Sequence, residues 1–320
     1  MKNHTSSPLV RDPAHIRIGI IGMTEGNGHP YSWSAMFNKF DRERMPKECP
    51  FPVIPVYLAR EDYGAMGIEG AGVEYVCCDR KADAEHVAAL SLIPHVVDRP
   101  EEMIGKVDAV IIATDIGGEH VRRAKPFIDA GIPLFIDKPL CDNREDLAFF
   151  TGLFESGYPL MSSSSMRFCK EIRPYHHGAT RELGQLRLIQ YGMPKKWETY
   201  GIHSLEAVYP ITGPGFYSIR NTGTKERNIL HIKHSSGVDL LITAIYDHAG
   251  PIPLVLSGNS QTAVIYTKDS YNSFRDQLVA FVDFLKTGER PFPWQETVEL
   301  MKLVIGGIES REQNGREILI

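Results

Sequence analysis

The 320-residue sequence has few cysteines, no long hydrophobic run and no block of basic residues. No apolar stretch approaches the roughly 18–20 residues that a membrane-spanning helix needs. The five cysteines are an odd number and lack metal-ligand spacing, so neither a disulfide framework nor a metal site is predicted. The formal net charge is −5 and Lys and Arg are not clustered, so we expect no nucleic-acid or membrane partner.

The composition is that of an ordinary globular protein. Hydrophobic residues make up 42% of the chain and charged residues 23%. Gly and Pro are spread along the chain, which argues against a disordered or fibrous protein. The length is typical of about two domains. Met1–Ala14 has no apolar stretch of the kind found in secretion signals, and together with the unpaired thiols this favours a cytoplasmic location.

The first half of the sequence alternates strand and helix patterns. Buried parallel strands are indicated by β-branched, apolar segments at His15–Gly22, Val73–Asp79, Val107–Thr114 and Ile132–Ile136. Helical spacing of apolar residues lies between them, at Ser32–Phe40, Ala82–Leu92 and Glu119–Ala130. This alternation predicts right-handed βαβ units and an α/β fold with a doubly wound, parallel Rossmann sheet.

The segment between the first helix and the second strand, about Glu43–Gly72, is unusually long. It contains four prolines and a short apolar run, and it is predicted to be an insertion in the first domain. Loops of this length are often functional or disordered. The pattern changes after about Pro139, so the first domain is predicted to span residues 1–140 and the second domain residues 141–320.

Strand-like alternation dominates the second half. The strands are predicted at Gln185–Met193, Asn228–His234, Val238–Tyr246, Pro253–Ser257 and Thr262–Tyr266. Short glycine-containing turns between them indicate an open, mainly antiparallel sheet. Helical patterns at Asp142–Glu155, Tyr271–Thr287 and Gln295–Ser310 complete a predicted α+β domain.

A cluster of glycines follows the first strand and precedes a helix. Gly22, Gly26 and Gly28 stand where a Rossmann fold binds the pyrophosphate of a dinucleotide, through backbone N–H groups and the helix N-terminus. Their spacing departs from the usual G-x-G-x-x-G fingerprint, which would place glycines at Thr24 and Asn27. On this cluster alone, a dinucleotide site and an ordinary flexible turn both stay open.

Two charged residues end the second predicted strand. An acid at the position of Asp79 can bind the ribose 2′-hydroxyl of NAD, whereas an arginine such as Arg80 can accept the 2′-phosphate of NADP. A solvated pair at a strand end is the other interpretation. These residues therefore leave both NAD and NADP open as the cofactor.

Three further motifs follow one another along the chain. Ala113–Leu140 contains a strand, AT-x, a glycine-containing loop, a His, a helix ending in AG, a strand and an acid-Lys-Pro triplet. GIHSLE stands at Gly201–Glu206, and two helical patterns close the chain over 281–310. In this order the motifs resemble the Gfo/Idh/MocA family, the oxidoreductases similar to glucose–fructose oxidoreductase and inositol dehydrogenase. The resemblance covers nearly the whole chain.

This resemblance implies a Rossmann domain followed by a domain whose open sheet forms the oligomer interface, so a homodimer or homotetramer is expected. It also implies NAD(P)-dependent oxidation or reduction of a sugar, polyol or similar compound. Lys138 matches the family lysine that contacts substrate and orients the reacting hydroxyl, and the acid before it is Asp137 instead of the commoner Glu. His203 matches the histidine that exchanges a proton with the substrate oxygen.

The sequence departs from the family pattern at Thr199, where an Asp usually stands four residues before the histidine. Glu198 or Glu206 could replace that carboxylate. The resemblance also implies a basic residue near the site at Arg167, and Trp197 could stack on a sugar face or pack in the core. Cofactor contacts are expected, besides the glycines and the strand-end pair, at Thr24, Thr114, Asp115, His120 and Lys138.

Together these features predict an NAD(P)-dependent oxidoreductase that transfers a hydride to or from a sugar, polyol or nucleotide-sugar-like alcohol or ketone. Two alternatives stay open. One is a lyase- or epimerase-type enzyme that retains and regenerates its cofactor. The other is a non-catalytic protein that binds a nucleotide or a sugar, and the irregular glycine loop and Thr199 support it.

Overall fold

The computed structural model describes residues 7–178, 181–249 and 252–320, which form two β-sheets with helices packed against them. The first half contains β1 (Ile16–Ile21), α1 (His29–Asn38), α2 (Met45–Glu48), α3 (Val53–Leu58), β2 (Ala71–Cys77), α4 (Lys81–Leu90), β3 (His95–Val96), β4 (Ala109–Ile112), α5 (His120–Asp129), β5 (Leu134–Ile136), α6 (Arg144–Glu155) and β6 (Leu160–Ser162). The second half contains β7 (Leu186–Pro194), a π-helix (Trp197–Gly201), α7 (Ile202–Thr212), β8 (Phe216–Asn221), β9 (Arg227–His234), β10 (Asp239–Ile245), β11 (Leu254–Gly258), β12 (Thr262–Ile265), α8 (Ser270–Thr287), α9 (Trp294–Glu312) and β13 (Ile318–Leu319).

The first sheet has six strands in the order β3-β2-β1-β4-β5-β6, and all of its strand pairs are parallel. Both faces of this sheet are buried. In β4, Ala109 and Ile111 pack on one side, whereas Val110 and Ile112 pack on the other. Burial on both faces explains why these strands are continuous apolar runs in the sequence. The strand order reverses between β1 and β4, which creates the crevice where such folds bind ligands.

The long segment after α1 is a packed part of the first domain. It forms α2 and α3, and Ile54, Tyr57 and Leu58 are buried in the same apolar cluster as β1. Phe51 lies directly against the glycine loop, because a Cβ atom at Gly28 would come within 2.5 Å of the Phe51 ring. The predicted insertion therefore covers one side of the glycine loop with apolar side chains.

The second sheet has seven strands in the order β12-β11-β7-β10-β9-β8-β13. Its pairs are antiparallel except for β7 and β10, which run parallel. In β10, Leu240, Ile242 and Ala244 are buried towards α7 and α9, whereas Leu241 is exposed on the other face. That outer face also exposes large hydrophobic side chains at Tyr217, Ile229 and Val264.

The two closing helices serve different domains. α9 packs on the second sheet, but α8 returns to the first domain, where the ring centroids of Phe281 and Phe135 are 5.4 Å apart. None of the helices in the described ranges combines the length and the hydropathy that crossing a bilayer requires.

The predicted fold class is confirmed, with a parallel Rossmann-type sheet and a mostly antiparallel second sheet. The predicted elements omitted the short strands β3, β6 and β13 and the strand β8. The domain boundary at residue 140 stays a prediction, and β6 extends the parallel sheet beyond it.

Candidate active site

Four loops meet at one edge of the first sheet, because parallel strands all end on the same side. The glycine loop Gly22–Gly28 follows β1, Asp79 follows β2, Thr114–Asp115 follows β4, and Asp137–Lys138 follows β5. Ligands of doubly wound sheets bind beyond this edge, at the point where the strand order reverses. The fold therefore brings the predicted cofactor residues of the first domain to one region.

Lys138 is buried at this edge between two carboxylates. Its Nζ atom lies 3.5 Å from Oδ2 of Asp115 and 4.0 Å from Oδ2 of Asp137. Burial opposes the charge of Lys138, but the two carboxylates outweigh burial and raise its pKa above the ordinary value. Thr24 joins this group, because its hydroxyl donates a 2.5 Å hydrogen bond to Asp115. Lys138 is therefore a fixed ammonium group.

Asp137 accepts hydrogen bonds from three sides. Its Oδ1 atom accepts from the backbone N–H of Lys138 at 2.7 Å. Its Oδ2 atom accepts from Nδ2 of Asn27 at 3.1 Å and from Nδ1 of His29 at 2.7 Å. Burial alone would raise the pKa of Asp137, but the charges of His29 and Lys138 lower it to about 2. Asp137 is therefore ionised at neutral pH.

His29 is a site residue that the sequence analysis did not single out. It is the first residue of α1, and its ring stacks on Trp33 with centroids 4.2 Å apart and an interplanar angle of 17°. The edge of Phe274 packs against it at 5.2 Å. The only sequence signal was a histidine that directly follows the glycine cluster at a helix start.

Tyr200 connects the two domains at the site. Nζ of Lys138 lies 5.0 Å from the centroid of its ring, and the ring of His203 packs against it edge-on at 4.9 Å. Nζ of Lys195 donates a 2.6 Å hydrogen bond to the Tyr200 hydroxyl. The structure therefore brings the two predicted catalytic side chains, Lys138 and His203, to one aromatic ring.

His203 is the second residue of α7. Its Nδ1 atom is 2.6 Å from the hydroxyl of Ser164, which also accepts a hydrogen bond from the N–H of Met166. Burial is the largest influence on this ring and, together with the Lys138 ammonium, lowers the pKa of His203 well below its ordinary value. His203 is therefore a neutral imidazole, and Ser164 orients it.

A cavity of about 230 Å³ opens beside these rings. Its lining combines the two histidine rings with hydroxyl-bearing, charged and apolar side chains from both domains. The main lining residues are His29, Tyr200, His203, Ser165, Ser270, Ser273, Asp269 and Phe274.

Several predicted substrate contacts lie elsewhere. Arg167 is buried in an ion cluster with Glu206 and Glu296, so it holds the second domain together instead of lining the cavity. Trp197 is also buried in the core, where its Nε1 atom donates to the carbonyl of Val304 at 2.9 Å. Of the two possibilities given for Trp197, the structure therefore shows packing in the core, and the predicted substrate contact is wrong. Glu198 pairs with Arg311 at 2.5 Å.

Neither of the two glutamates considered as partners of His203 orients it, because Glu198 and Glu206 both pair with arginines. Thr199 lies in the π-helix next to Tyr200, outside the residues that line the cavity. In the described ranges, no group of three His, Cys, Asp or Glu side chains is placed to hold a metal ion.

The glycine loop has donors suited to a pyrophosphate. Gly26 has a positive φ of 76°, and the nearest atom to a Cβ placed there is Nζ of Lys195 at 3.4 Å. Within the described ranges, no group accepts a hydrogen bond from the backbone N–H of Glu25 or Gly26. Free amide donors and a nearby ammonium are the groups that bind phosphates. The loop therefore fits the phosphates of a dinucleotide.

The other two glycines have packing reasons of their own. A Cβ at Gly22 would lie 2.5 Å from the side chain of Thr114, so this glycine lets the loops after β1 and β4 approach closely. Gly28 makes room for Phe51. Of the three glycines, only Gly26 is exposed, and it lies beside free amide groups and the ammonium of Lys195.

Asp79 is engaged by an arginine that the sequence did not single out. Arg123 donates two hydrogen bonds to its carboxylate, at 2.8 and 2.7 Å, and these lower the pKa of Asp79. Arg80 points to Asp83 instead, at 2.8 Å in the first turn of α4. The strand-end pair of the sequence is thus an Asp79–Arg123 pair in the structure.

His120 is a fully buried residue with a structural role. One ring nitrogen is 3.0 Å from the carbonyl oxygen of Leu140 and the other is 3.0 Å from that of Thr114. Burial lowers its pKa. His120 therefore ties the loop after β4 to the loop after β5, and it has no ring nitrogen left for a cofactor.

Comparison with known proteins agrees with this fold. Residues 16–150 match the sequence model GFO_IDH_MocA, described as an oxidoreductase family with an NAD-binding Rossmann fold. No curated protein sequence matches the chain.

Solved structures share the fold over almost the whole chain. Myo-inositol 2-dehydrogenase from Lactobacillus plantarum has 14% identity and a TM-score of 0.73, covering 96% of this chain and 99% of that one. Scyllo-inositol dehydrogenase from Lactobacillus casei, solved with bound NAD(H) and scyllo-inositol, has 12% identity and a TM-score of 0.71, with coverage of 95% and 99%. A probable dehydrogenase from Thermotoga maritima has 14% identity and a TM-score of 0.72, with coverage of 95% and 98%.

At these identities the likeness to the solved structures shows a common fold. The family model adds a sequence match over the first domain. Residues 16–150 of this chain match the NAD-binding Rossmann fold of that oxidoreductase family, which agrees with the resemblance that the motifs indicated.

Proposed function

We propose that the protein is an NAD(P)-dependent oxidoreductase that interconverts an alcohol and a ketone on a sugar, polyol or nucleotide-sugar-like substrate. The observation that carries this proposal is the approach of Lys138 and His203 to the same ring, Tyr200, beside the cavity. A fixed cation can stabilise negative charge on the reacting oxygen, and a neutral imidazole can exchange its proton.

The first domain supplies the groups that would hold the cofactor. The free N–H groups of Glu25 and Gly26 and the ammonium of Lys195 would bind its phosphates, and Asp79 would bind a ribose hydroxyl. When bound, a nicotinamide dinucleotide accepts or donates the hydride of the reaction. The conformation of the glycine loop supports this assignment, because the exposed Gly26 has a positive φ and lies close to the Lys195 ammonium.

The chain's own residues would manage the proton and the charge on the substrate oxygen. His203 would exchange the hydroxyl proton, and the 2.6 Å contact with Ser164 would hold its ring in place. Because its pKa is lowered, the ring is neutral and ready to accept a proton in the oxidative direction. The Lys138 ammonium, fixed by Asp115 and Asp137, would stabilise negative charge on that oxygen.

The lining of the cavity supports a polyhydroxylated substrate. Ser165, Ser270 and Ser273 supply hydroxyl groups, and the carboxylate of Asp269 can accept hydrogen bonds from a polyol. Phe274 offers an apolar face. The Lactobacillus casei enzyme of the same fold binds scyllo-inositol, which agrees with a compound of this class.

Two measurements test the proposed function. Calorimetry with NADH and NADPH should detect binding of at least one of them. Absorbance of the reduced nicotinamide should then change with at least one member of a panel of inositols, sugars and nucleotide sugars. Binding without any turnover would favour the alternative of a nucleotide- or sugar-binding protein. Absence of dinucleotide binding at millimolar concentration would contradict the proposal.

A further inference from the structure

The pair formed by His29 and Asp137 has the arrangement of an acid–base group. Nδ1 of His29 and Oδ2 of Asp137 are 2.7 Å apart. Asp137 is buried and ionised, so its oxygens can only accept hydrogen bonds. The shared hydrogen therefore belongs to Nδ1 of His29, and in the neutral ring Nε2 carries the lone pair.

The free nitrogen of His29 is available to a ligand. Within the described ranges, no protein group forms a hydrogen bond with Nε2 of His29, and the residue lines the same cavity as His203. Stacking on Trp33 and the edge of Phe274 hold the ring in one orientation. A carboxylate that fixes the tautomer of an imidazole and leaves its other nitrogen free is the arrangement of general bases in many enzymes.

The two histidines of the cavity differ in their electrostatic support. The partner of His203 is the neutral hydroxyl of Ser164, and the nearby ammonium groups of Lys138 and Lys195 oppose a positive charge on its ring. A positive charge on the ring of His29 would instead lie next to the Asp137 carboxylate. Of the two histidines, only His29 therefore has a carboxylate as its hydrogen-bond partner.

We propose that His29, paired with Asp137, is a second proton-exchanging residue of this cavity. The inference rests on the proposed function. In the oxidative direction the substrate O–H bond breaks and its proton forms an N–H bond of His203; that N–H bond then breaks as the proton forms the Nε2–H bond of His29. The electron pair left on oxygen forms the C=O bond as the carbon gives up its hydride to the oxidised dinucleotide. Reduction reverses each of these changes.

The first test needs neither cofactor nor turnover. Diethylpyrocarbonate acylates an imidazole nitrogen that has a free lone pair, and peptide mass spectrometry locates the modified residue. We expect modification of His29 in the wild-type protein. His120 is the internal control, because it is fully buried and its ring nitrogens contact the carbonyl of Leu140 and the hydroxyl of Thr114, and it should stay unmodified. Equal resistance of His29 and His120 would overturn the inference.

The second test compares turnover of the variants H29Q, H203N and H86Q. His86 is the matched control, because its ring contacts Tyr31 and Glu48 outside the cavity. With a substrate from the panel, kcat of H29Q should fall at least about 100-fold, as expected for loss of general acid–base catalysis. H86Q should stay within about twofold of the wild type. Dinucleotide affinity, measured by calorimetry, should be unchanged in H29Q.

Rescue separates a chemical role of His29 from a purely structural one. Free imidazole should restore part of the kcat of H29A, because it can enter the space that the missing ring leaves. If H29Q and H29A fold, bind the dinucleotide and turn over substrate at the wild-type rate, the inference fails and the proposed function stands. An active wild type with an inactive H29A that imidazole does not rescue would also overturn it. A wild type that turns over no member of the panel would overturn both.

Discussion

Nζ of Lys195 in the second domain donates a 3.1 Å hydrogen bond to the carbonyl oxygen of Gly26 in the first domain. The same ammonium donates to the hydroxyl of Tyr200, so it joins the glycine loop to the ring shared by Lys138 and His203. Lys195 has a positive φ of 67°, an uncommon conformation for a residue other than glycine. The dinucleotide loop and the cavity are therefore connected through one side chain.

This connection predicts that Lys195 contributes to cofactor affinity. The substitution K195M should weaken dinucleotide binding about tenfold, the scale of one charge-assisted hydrogen bond. The effect should shrink as salt concentration rises, because salt screens the interaction between an ammonium and a phosphate. Calorimetry measures both quantities. The matched control is K196M, since Lys196 is exposed; equal weakening by both variants would contradict the prediction.

Lys138 and His203 should govern turnover more than cofactor binding. H203N should lower kcat by about 100- to 10,000-fold, the usual contribution of a general acid–base group. K138A should also lower kcat, because it removes the cation that stabilises charge on the substrate oxygen. Steady-state kinetics with a confirmed substrate gives these values, and calorimetry should show retained dinucleotide binding for H203N. Wild-type rates in both variants would refute the assignment.

Asp79 should select between NAD and NADP together with Arg123. Asp79 accepts two hydrogen bonds from Arg123, so D79A removes an acceptor for a ribose hydroxyl and frees a guanidinium that can bind a phosphate. We expect D79A to weaken NAD more than NADP in calorimetric titrations. D83A is the control, since Asp83 pairs with Arg80 instead. Equal weakening of both cofactors by D79A would leave Asp79 without this role.

The buried carboxylate of Asp137 should make folding stability depend on pH in the acid range. Its pKa is about 2 in the folded protein, against roughly 3.9 in an unfolded chain. A lowered pKa stabilises the fold above the unfolded value, and this contribution is lost as pH falls towards the folded value. The free energy of unfolding should therefore drop by on the order of 2 kcal/mol through this group between about pH 5 and pH 2.

The variant D137N tests that dependence. Denaturant titrations across the same pH range should show a shallower loss of stability in D137N than in the wild type. D129N is the control, because Asp129 pairs with Lys125 on the surface of α5. If the free energy of unfolding falls equally steeply with pH in the wild type and in D137N, Asp137 does not cause the loss of stability.

The outer face of the second sheet predicts a homo-oligomer, a homodimer or a homotetramer. Ile229 is 51% exposed and Leu241 39% exposed on this face, and burying such side chains between two copies is favourable. Light scattering at micromolar concentration should give a mass above that of one chain. I229E should shift the protein towards the monomer, whereas V53E, on the exposed side of α3, should not. A monomeric wild type would refute the prediction.

The sequence predicted the first domain well because its sheet is buried on both faces. Such strands are continuous apolar runs, as in Val107–Thr114, and the helices between them leave few other arrangements. The approach of Lys138 and His203 could be expected from motifs that match a known family. β8 was missed because its burial does not follow a two-residue period: Ser218 and Ile219 are both buried beside a register shift in the strand.

The remaining site residues depend on contacts between distant parts of the chain. His29 meets Asp137 only because the loop after β1 brings the start of α1 to the end of β5. Ser164 follows β6, a strand too short to be recognised, and Arg167 turns into an ion cluster instead of the cavity. Residue type and spacing do not reveal which way such side chains face. Trp197 shows the same limit, since its residue type suits a sugar face and a core equally.

Isotope transfer from substrate to cofactor tests the central claim most directly. The protein is mixed with NAD⁺ or NADP⁺ and a polyol that carries deuterium on the carbon of its reacting hydroxyl, and the reduced dinucleotide is analysed by mass spectrometry. We predict that the wild type releases reduced dinucleotide that carries one deuterium atom per molecule. H203N should release almost no reduced dinucleotide. Deuterium recovered only in the sugar product, without net reduction of the cofactor, would contradict it and favour an enzyme of lyase or epimerase type.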